Sequence, residues 1–182
     1  VVLSVTALGS LEGRAAVKRG GAQVGDVVAV CGRLGWAAAG LAVLGRGFRS
    51  PKVLVDAHRY PVIDYTAGPR AATAGATAMI DVSDGLLADL GHIAAASGVA
   101  IDVHTEQLEV PEPLQAAASA YNVDPHGWML TGGDDHALVA CFPAKKKLPT
   151  GFTAIGVVGE GPAQVTVDGA QFEGAAGFTH FA

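Results

Sequence analysis

The sequence predicts an α+β (mixed α/β) fold, and two observations carry that reading. Short apolar runs rich in β-branched residues recur along the chain, and stretches with helical apolar spacing lie between them. Glycine or proline marks most of the boundaries. The opening VVLSVTALG (Val1 to Gly9) reads as a strand. Gly9 to Asp26 is rich in glycine and charge, as expected of a connection between domains or a loop over a site. VVAVC (Val27 to Cys31) is a short buried strand, and LGWAAAGLAVLG (Leu34 to Gly45) is an alanine-rich helix closed by glycine. A strand, a glycine turn and a helix in that order can offer helix amides to an anion, a weak signal because much αβ architecture shares it.

PKVLVDAHRYP (Pro51 to Pro61) predicts a helix stopped near its second proline, and YTAGPRAATAG is a weaker candidate. TAMIDV (Thr77 to Val82) is a strand. It hands over to a helix on which Leu86, Leu90 and Ile93 share one face, with Gly98 as its end. VAIDVHT (Val99 to Thr105) is a strand, PEPLQAAASAY starts a helix with proline in its first turn, and HALVACF (His136 to Phe142) is a strand. FTAIGVV and AQVTVDG add two strands before a glycine-rich tail. No period repeats and no segment is of low complexity.

The chain has 182 residues, half of them hydrophobic, enough for one good-sized domain or one domain with part of another. Twelve Lys and Arg against 17 Asp and Glu give a formal charge of −5, which offers nucleic acid no electrostatic footprint. The basic run Lys145 to Lys147 reads as a solvated turn. Cys31 and Cys141 each sit in strongly apolar stretches, which predicts buried reduced thiols. No apolar run approaches the roughly 20 residues that cross a bilayer, and the opening has no basic segment ahead of a signal-like core. A soluble cytoplasmic protein is the expectation, with no membrane partner.

Two acidic constellations stand at element junctions. In DVSDGL, Asp81 ends a strand and Asp84 follows Ser83 where helical periodicity begins. With Ser83 as N-cap, both carboxylates converge in front of the helix, and hard oxygen ligands there suit Mg²⁺. Equally, Ser83 and Asp84 can simply satisfy free amides and the positive helix end. In LTGGDDHAL, two glycines permit positive φ before Asp134 and Asp135, which can bind a cation or shape a turn. The tail GAAGFTHFA presents Phe178 and Phe181, either packed on the domain or stacked on a ligand. Six histidines show no paired metal-ligand spacing and read as structural or exposed. No GxxxxGK[ST] loop, GxSxG elbow or CxxC pair occurs.

AVKRGGAQVGDVVAVCGRLGWAAAGL, MIDVSDGLLADLGHIAAASG, LTGGDDHALVACF and GFTHF occur in that order over nearly the whole chain. Together they resemble the carboxyl-terminal two thirds of the thiamine-monophosphate kinases, within the aminoimidazole ribonucleotide synthetase-like superfamily. The resemblance implies the carboxyl-terminal domain of that fold, a mixed sheet flanked by helices, over residues 14–182. Residues 1–13 would be the last strand and linker of an amino-terminal ATP-binding and dimerisation domain. It implies ATP-dependent phosphorylation of thiamine monophosphate to thiamine diphosphate, by Mg²⁺-assisted in-line transfer in a homodimer. Asp81 and Asp84 would hold Mg²⁺, Ser83 and Arg19 would contact ATP, and Asp134 and Phe178 would bind the thiamine substrate. No residue is assigned as a catalytic acid, base or nucleophile. Two departures stand out: the family usually has Glu at Asp134, and commonly Tyr-Glu-Leu where this chain has His136-Ala137-Leu138. A non-catalytic module of the same fold, or another ATP-dependent member of the superfamily, is the competing reading.

Overall fold

The computed structural model describes residues 2–179. Seven strands form one mixed sheet: β1 (Asp26–Cys31), β2 (Ala78–Val82), β3 (Ala100–Val103), β4 (Ala137–Pro143), β5 (Phe152–Gly159), β6 (Gln164–Val167) and β7 (Ala170–Gln171). Their order across the sheet is β2-β4-β1-β5-β3-β6-β7. Neighbours are antiparallel except β3 and β6, which run parallel. The helices are α1 (Trp36–Gly45), α2 (Lys52–Arg59), α3 (Ala67–Ala74), α4 (Leu86–Ser97), α5 (Glu112–Tyr121) and α6 (Pro125–Thr131).

Strands β1 and β4 read as continuous apolar runs because the sheet is covered on both faces. Successive side chains alternate: Val28 and Val30 enter a large core with α1, α2, α4, α5 and α6, while Ala29 and Cys31 enter a smaller one beneath α3. Leu54, Leu86, Leu90 and Ile93 are wholly buried in the large core. Each such side chain contributes about 1.5–3 kcal/mol by leaving water. The apolar stripe expected of the helix after β2 is therefore the one the fold buries. Both cysteines are free and buried as expected, and burial pushes the Cys141 thiol up to about 12. Lys145 to Lys147 lie exposed in a turn. Among the described residues no helix is long and apolar enough to cross a membrane.

Three local expectations need correction. Residues 2–9 join no sheet, and Val2 and Leu8 are 96% and 95% exposed. A strand exists only as part of a ladder, and the described chain offers this segment none. At the β2 edge, Met79 N–H donates instead to the Lys18 carbonyl at 3.0 Å. Next, Ser83 is not the N-cap of α4. That position belongs to Gly85, whose backbone no side chain caps in the usual way. Asp89 reaches back from within the helix, and its Oδ2 accepts from the amides of Ser83 (2.9 Å), Asp84 (3.0 Å) and Gly85 (3.2 Å). Third, the first amides of α1 are not offered to an external anion. The Asp135 carboxylate faces them, with Oδ1 accepting from Ala37 N–H at 2.9 Å.

Asp135 is 6% exposed, and its Oδ2 has no hydrogen-bond partner among the described residues. Burial drives its pKa from 3.8 up to about 6, against the opposing pull of the Ala37 and Gly35 amides and the Arg33 charge. The folded state thus retains a proton that the unfolded chain releases near pH 4. Stability contributed this way is complete below pH 4 and is lost as pH rises through about 6. Denaturant titrations of wild type and Asp135→Asn at pH 4 and pH 7 test this. Relative to the variant, wild type should lose up to about 3 kcal/mol between the two pH values. Parallel behaviour of the two proteins would remove the penalty from Asp135.

Candidate functional site

Three segments far apart in sequence are joined backbone to backbone at one end of the sheet. The loop after β2 supplies carbonyls: Val82 O accepts from His136 N–H (3.1 Å), Ser83 O from Asp134 N–H (2.9 Å) and Asp84 O from Phe178 N–H (2.8 Å). The glycine pair before Asp134 is what allows this approach, since a Cβ on Gly133 would overlap the Ser83 carbonyl. Asp134 (φ 65°) and His136 (φ 52°) are themselves left-handed. Such conformations in non-glycine residues persist where surrounding contacts hold them and concentrate at functional sites. The two acidic motifs and the tail therefore form a single construction.

Ser83 and Asp84 line clefts on either side. One cleft, of about 310 Å³, also contains Asp134 and Phe178, with Ala37, Ala38 and Leu41 of α1 and His58 of α2. The other, of about 490 Å³, also contains Asp81, Lys18, Arg19, Asp89 and His92. All six residues singled out in the sequence thus meet at this pair of clefts, and Ser83 and Asp84 are common to both. Asp81 also borders a third space of about 620 Å³, shared with Arg33, Asp64 and His136. Phe181 lies outside the described residues.

Arg19 is exposed, and its position comes from its backbone. Ser97, the last residue of α4, receives the amides of Gly21 and Ala22 on its Oγ, each at 3.1 Å. With the Lys18 carbonyl tied to β2, the Lys18 to Ala22 stretch is held against the same strand and helix that bear the acids.

The acids divide by environment. Asp89 is 2% exposed and is committed to three amides, while Asp135 is committed to α1. Burial raises the Asp89 pKa even though the amides of Asp84, Gly85 and Ser83 pull the other way. Asp81, Asp84 and Asp134 face clefts. The Asp81 side chain is 64% exposed, and its nearest basic atom is His136 Nδ1 at 3.9 Å. Among the described residues no three acids, histidines or cysteines gather as a metal cluster. Two carboxylates beside a phosphate-sized opening nevertheless fit a cation of the Mg²⁺ type, which commonly takes one or two carboxylates and fills its shell with water and substrate phosphate.

Sequence reasoning passed over Asp89, Lys18, His58 and His92. For Asp89 a signal existed. It lies three residues after Leu86 on the apolar stripe, and an acid on a buried face needs a partner. His58 follows Leu54 by four residues and shares its side of α2 in the same way.

Residues 23–168 match the family described as AIR synthase related protein, C-terminal domain. The thiamine-monophosphate kinase of Mycobacterium tuberculosis is 51% identical over 181 residues, 99% of this chain and 54% of that protein. That of Corynebacterium glutamicum is 41% identical over 87% of this chain and 49% of its own length. The solved structure of AaThiL complexed with AMPPCP and TMP superposes with a TM-score of 0.83 at 35% identity, covering 91% of this chain and 54% of that one. The chain spans about half the length of the curated relatives it matches. By the match over residues 23–168, on a fold of the kind the sequence predicted, this chain belongs to the AIR synthase related protein family through its C-terminal domain.

Proposed function

We propose that the full-length protein transfers the γ-phosphoryl group of ATP to the phosphate of thiamine monophosphate, giving thiamine diphosphate and ADP. The observation that carries this reading is the pair of clefts divided by Ser83 and Asp84. One has basic and acidic groups suited to a metal-bound triphosphate, and the other has an acid and an aromatic suited to a flat cationic ring. The kinship with thiamine-monophosphate kinases supports the choice of substrate.

The difficulty in this reaction is repulsion between phosphates. The attacking phosphate oxygen is already anionic near neutral pH, so no strong general base is needed. Two unit anions about 4 Å apart repel by roughly 1 kcal/mol in water and about 4 at an effective dielectric of 20. Asp81 and Asp84 would hold Mg²⁺, whose charge, when bound, neutralises phosphate oxygens. Lys18 and Arg19 add positive charge beside those acids, and the Ser83 hydroxyl offers a donor at the boundary between the clefts. In the other cleft, Asp134 and the face of Phe178 attract the thiazolium cation. A new bond forms between the acceptor phosphate oxygen and the γ-phosphorus as the bond to the bridging oxygen breaks. ADP takes that electron pair, and no covalent enzyme intermediate forms.

Residues 1–13 we assign to the end of a preceding ATP-binding and dimerisation domain, where Val1 to Gly9 would gain strand partners in a cytoplasmic homodimer. Residues 14–182 then form the carboxyl-terminal kinase domain.

In the full-length protein, Asp84→Asn should abolish Mg²⁺-dependent binding of a nonhydrolysable ATP analogue and lower kcat/KM at least about 100-fold, or about 2.7 kcal/mol. Its thermal midpoint should stay close to that of wild type. Calorimetric titration with and without Mg²⁺ checks this, and unchanged nucleotide affinity would return Asp84 to a structural role. Asp134→Ala should raise KM for thiamine monophosphate about tenfold, or about 1.4 kcal/mol, and leave KM for ATP unaltered. Steady-state assays with each substrate varied in turn separate the two effects, and an equal rise in both would disconnect Asp134 from the thiamine cleft. The 182-residue chain alone should show negligible turnover, measured as thiamine diphosphate formed. Robust activity would mean that the sites beyond it are dispensable.

A further inference from the structure

Five histidines fall within the described residues, and three of them face aspartates. His104 Nε2 lies 3.2 Å from Asp102, His126 Nδ1 lies 3.1 Å from Asp124, and His136 Nδ1 lies 3.9 Å from Asp81. His58 differs. Its half-buried imidazole has no hydrogen bond or ion pair with any described residue, and it lines the cleft that contains Asp134 and Phe178.

Helix packing explains how it arrives there. A Cβ on Gly40 of α1 would overlap the Leu54 carbonyl and come within 2.9 Å of the His58 Cβ. Without that Cβ, α1 and α2 cross closely, Leu54 is fully buried, and His58, one turn later, reaches the edge of the cleft. The cleft floor, Ala37, Ala38 and Leu41, is apolar. A polar group on an apolar wall with no protein partner is available to a ligand.

We infer that His58 is a specificity-determining residue that recognises the uncharged nitrogen heterocycle of the substrate. The inference rests on the function proposed above. Thiamine monophosphate has two rings of different chemistry. The thiazolium is cationic and suits a carboxylate and an aromatic face, whereas an imidazole offers it nothing comparable. The aminopyrimidine is neutral and carries an amine donor beside ring-nitrogen acceptors. Neutral imidazole has one donor and one acceptor, so it can pair with either group of that ring. A site built to hydrogen-bond a polar ring discriminates against analogues lacking the ring's polar atoms, because its own groups are then left unpaired.

The test uses full-length wild type, His58→Leu and His58→Gln, assayed with thiamine monophosphate and with an analogue whose aminopyrimidine is replaced by phenyl. His58→Leu should raise KM for thiamine monophosphate about tenfold, with kcat and KM for ATP within about twofold of wild type. His58→Gln, which keeps a donor and an acceptor, should recover most of the loss. The phenyl analogue should have a raised KM with wild type and no further rise with His58→Leu. If His58→Leu fails to fold, His58→Asn, whose amide stops short of the imidazole's reach, takes its place with the same expectation. Turnover by wild type with KM unchanged in the variants, or an equal rise for both substrates, overturns the assignment of His58 alone. No turnover of thiamine monophosphate by wild type overturns the proposed function, and this assignment with it.

Discussion

The site depends on one close approach of backbone to backbone, where Gly133 passes the Ser83 carbonyl and Asp134 N–H donates to it at 2.9 Å. Any side chain at residue 133 would force the two loops apart. With them in contact, backbone groups that would otherwise be left wanting partners satisfy one another, and an unmet buried amide or carbonyl costs about 1–3 kcal/mol. The tail is attached through the same loop, by Phe178 N–H to the Asp84 carbonyl. Main-chain atoms do the joining, and the same residues, Ser83, Asp84 and Asp134, line the clefts.

The supporting layer is also acidic. Asp89 draws together the three amides that precede α4, and Asp135 does the same service for the start of α1. Both are nearly inaccessible, and burial raises both of their pKa values. A neutral acceptor would cost less to bury. What a carboxylate adds is stronger acceptance, since hydrogen bonds to a charged acceptor are roughly twice as strong as neutral ones. Here it directs two loops that must present other groups accurately. In each motif an acid lining a cleft is therefore matched by a buried acid committed to backbone amides: Asp84 with Asp89, which holds the loop before α4, and Asp134 with Asp135, which holds the start of α1.

Much of this was legible in the sequence, and what was not has a physical explanation. Strands β1 to β6 and helices α1, α2, α4 and α5 follow the predicted runs because apolar periodicity and glycine punctuation agree with tertiary burial there. The short helix α6 was passed over, although Asp124 accepts from His126 N–H and Pro125 opens the first turn. A seven-residue helix offers too little apolar period for its cap to be recognised. Residues 2–9 join no sheet here because β propensity describes a surface waiting for partners, and partners cannot be read from the segment itself. Local geometry also favoured Ser83 as the cap, whereas Gly85 takes that position and Asp89, further along the helix, accepts from the amides that precede it. The six site residues came from resemblance. Composition and spacing left their acids undecided between capping and binding; Asp89 and Asp135 hold backbone amides, while Asp81, Asp84 and Asp134 line the clefts.

On the proposed function, charge ties the two clefts to one reaction. Asp81 and Asp84 bring negative charge to where, on the proposed function, a triphosphate lies, and Lys18 and Arg19 are the strong bases that share that cleft. Lys18 and Arg19 together can at most balance the two carboxylates, leaving the phosphates themselves uncompensated. On the proposed function, the remaining positive charge would be supplied by divalent cations and by groups on other segments. The Ser83 to Gly85 loop, fixed from below by Asp89 and from the side by Gly133, is then the stationary element against which both phosphate-bearing ligands are aligned. A displacement of about 1 Å in such a support costs on the order of 100-fold in rate even where no reacting atom is touched. On the proposed function, the two buried carboxylates are then positioning groups for the acids that face the clefts.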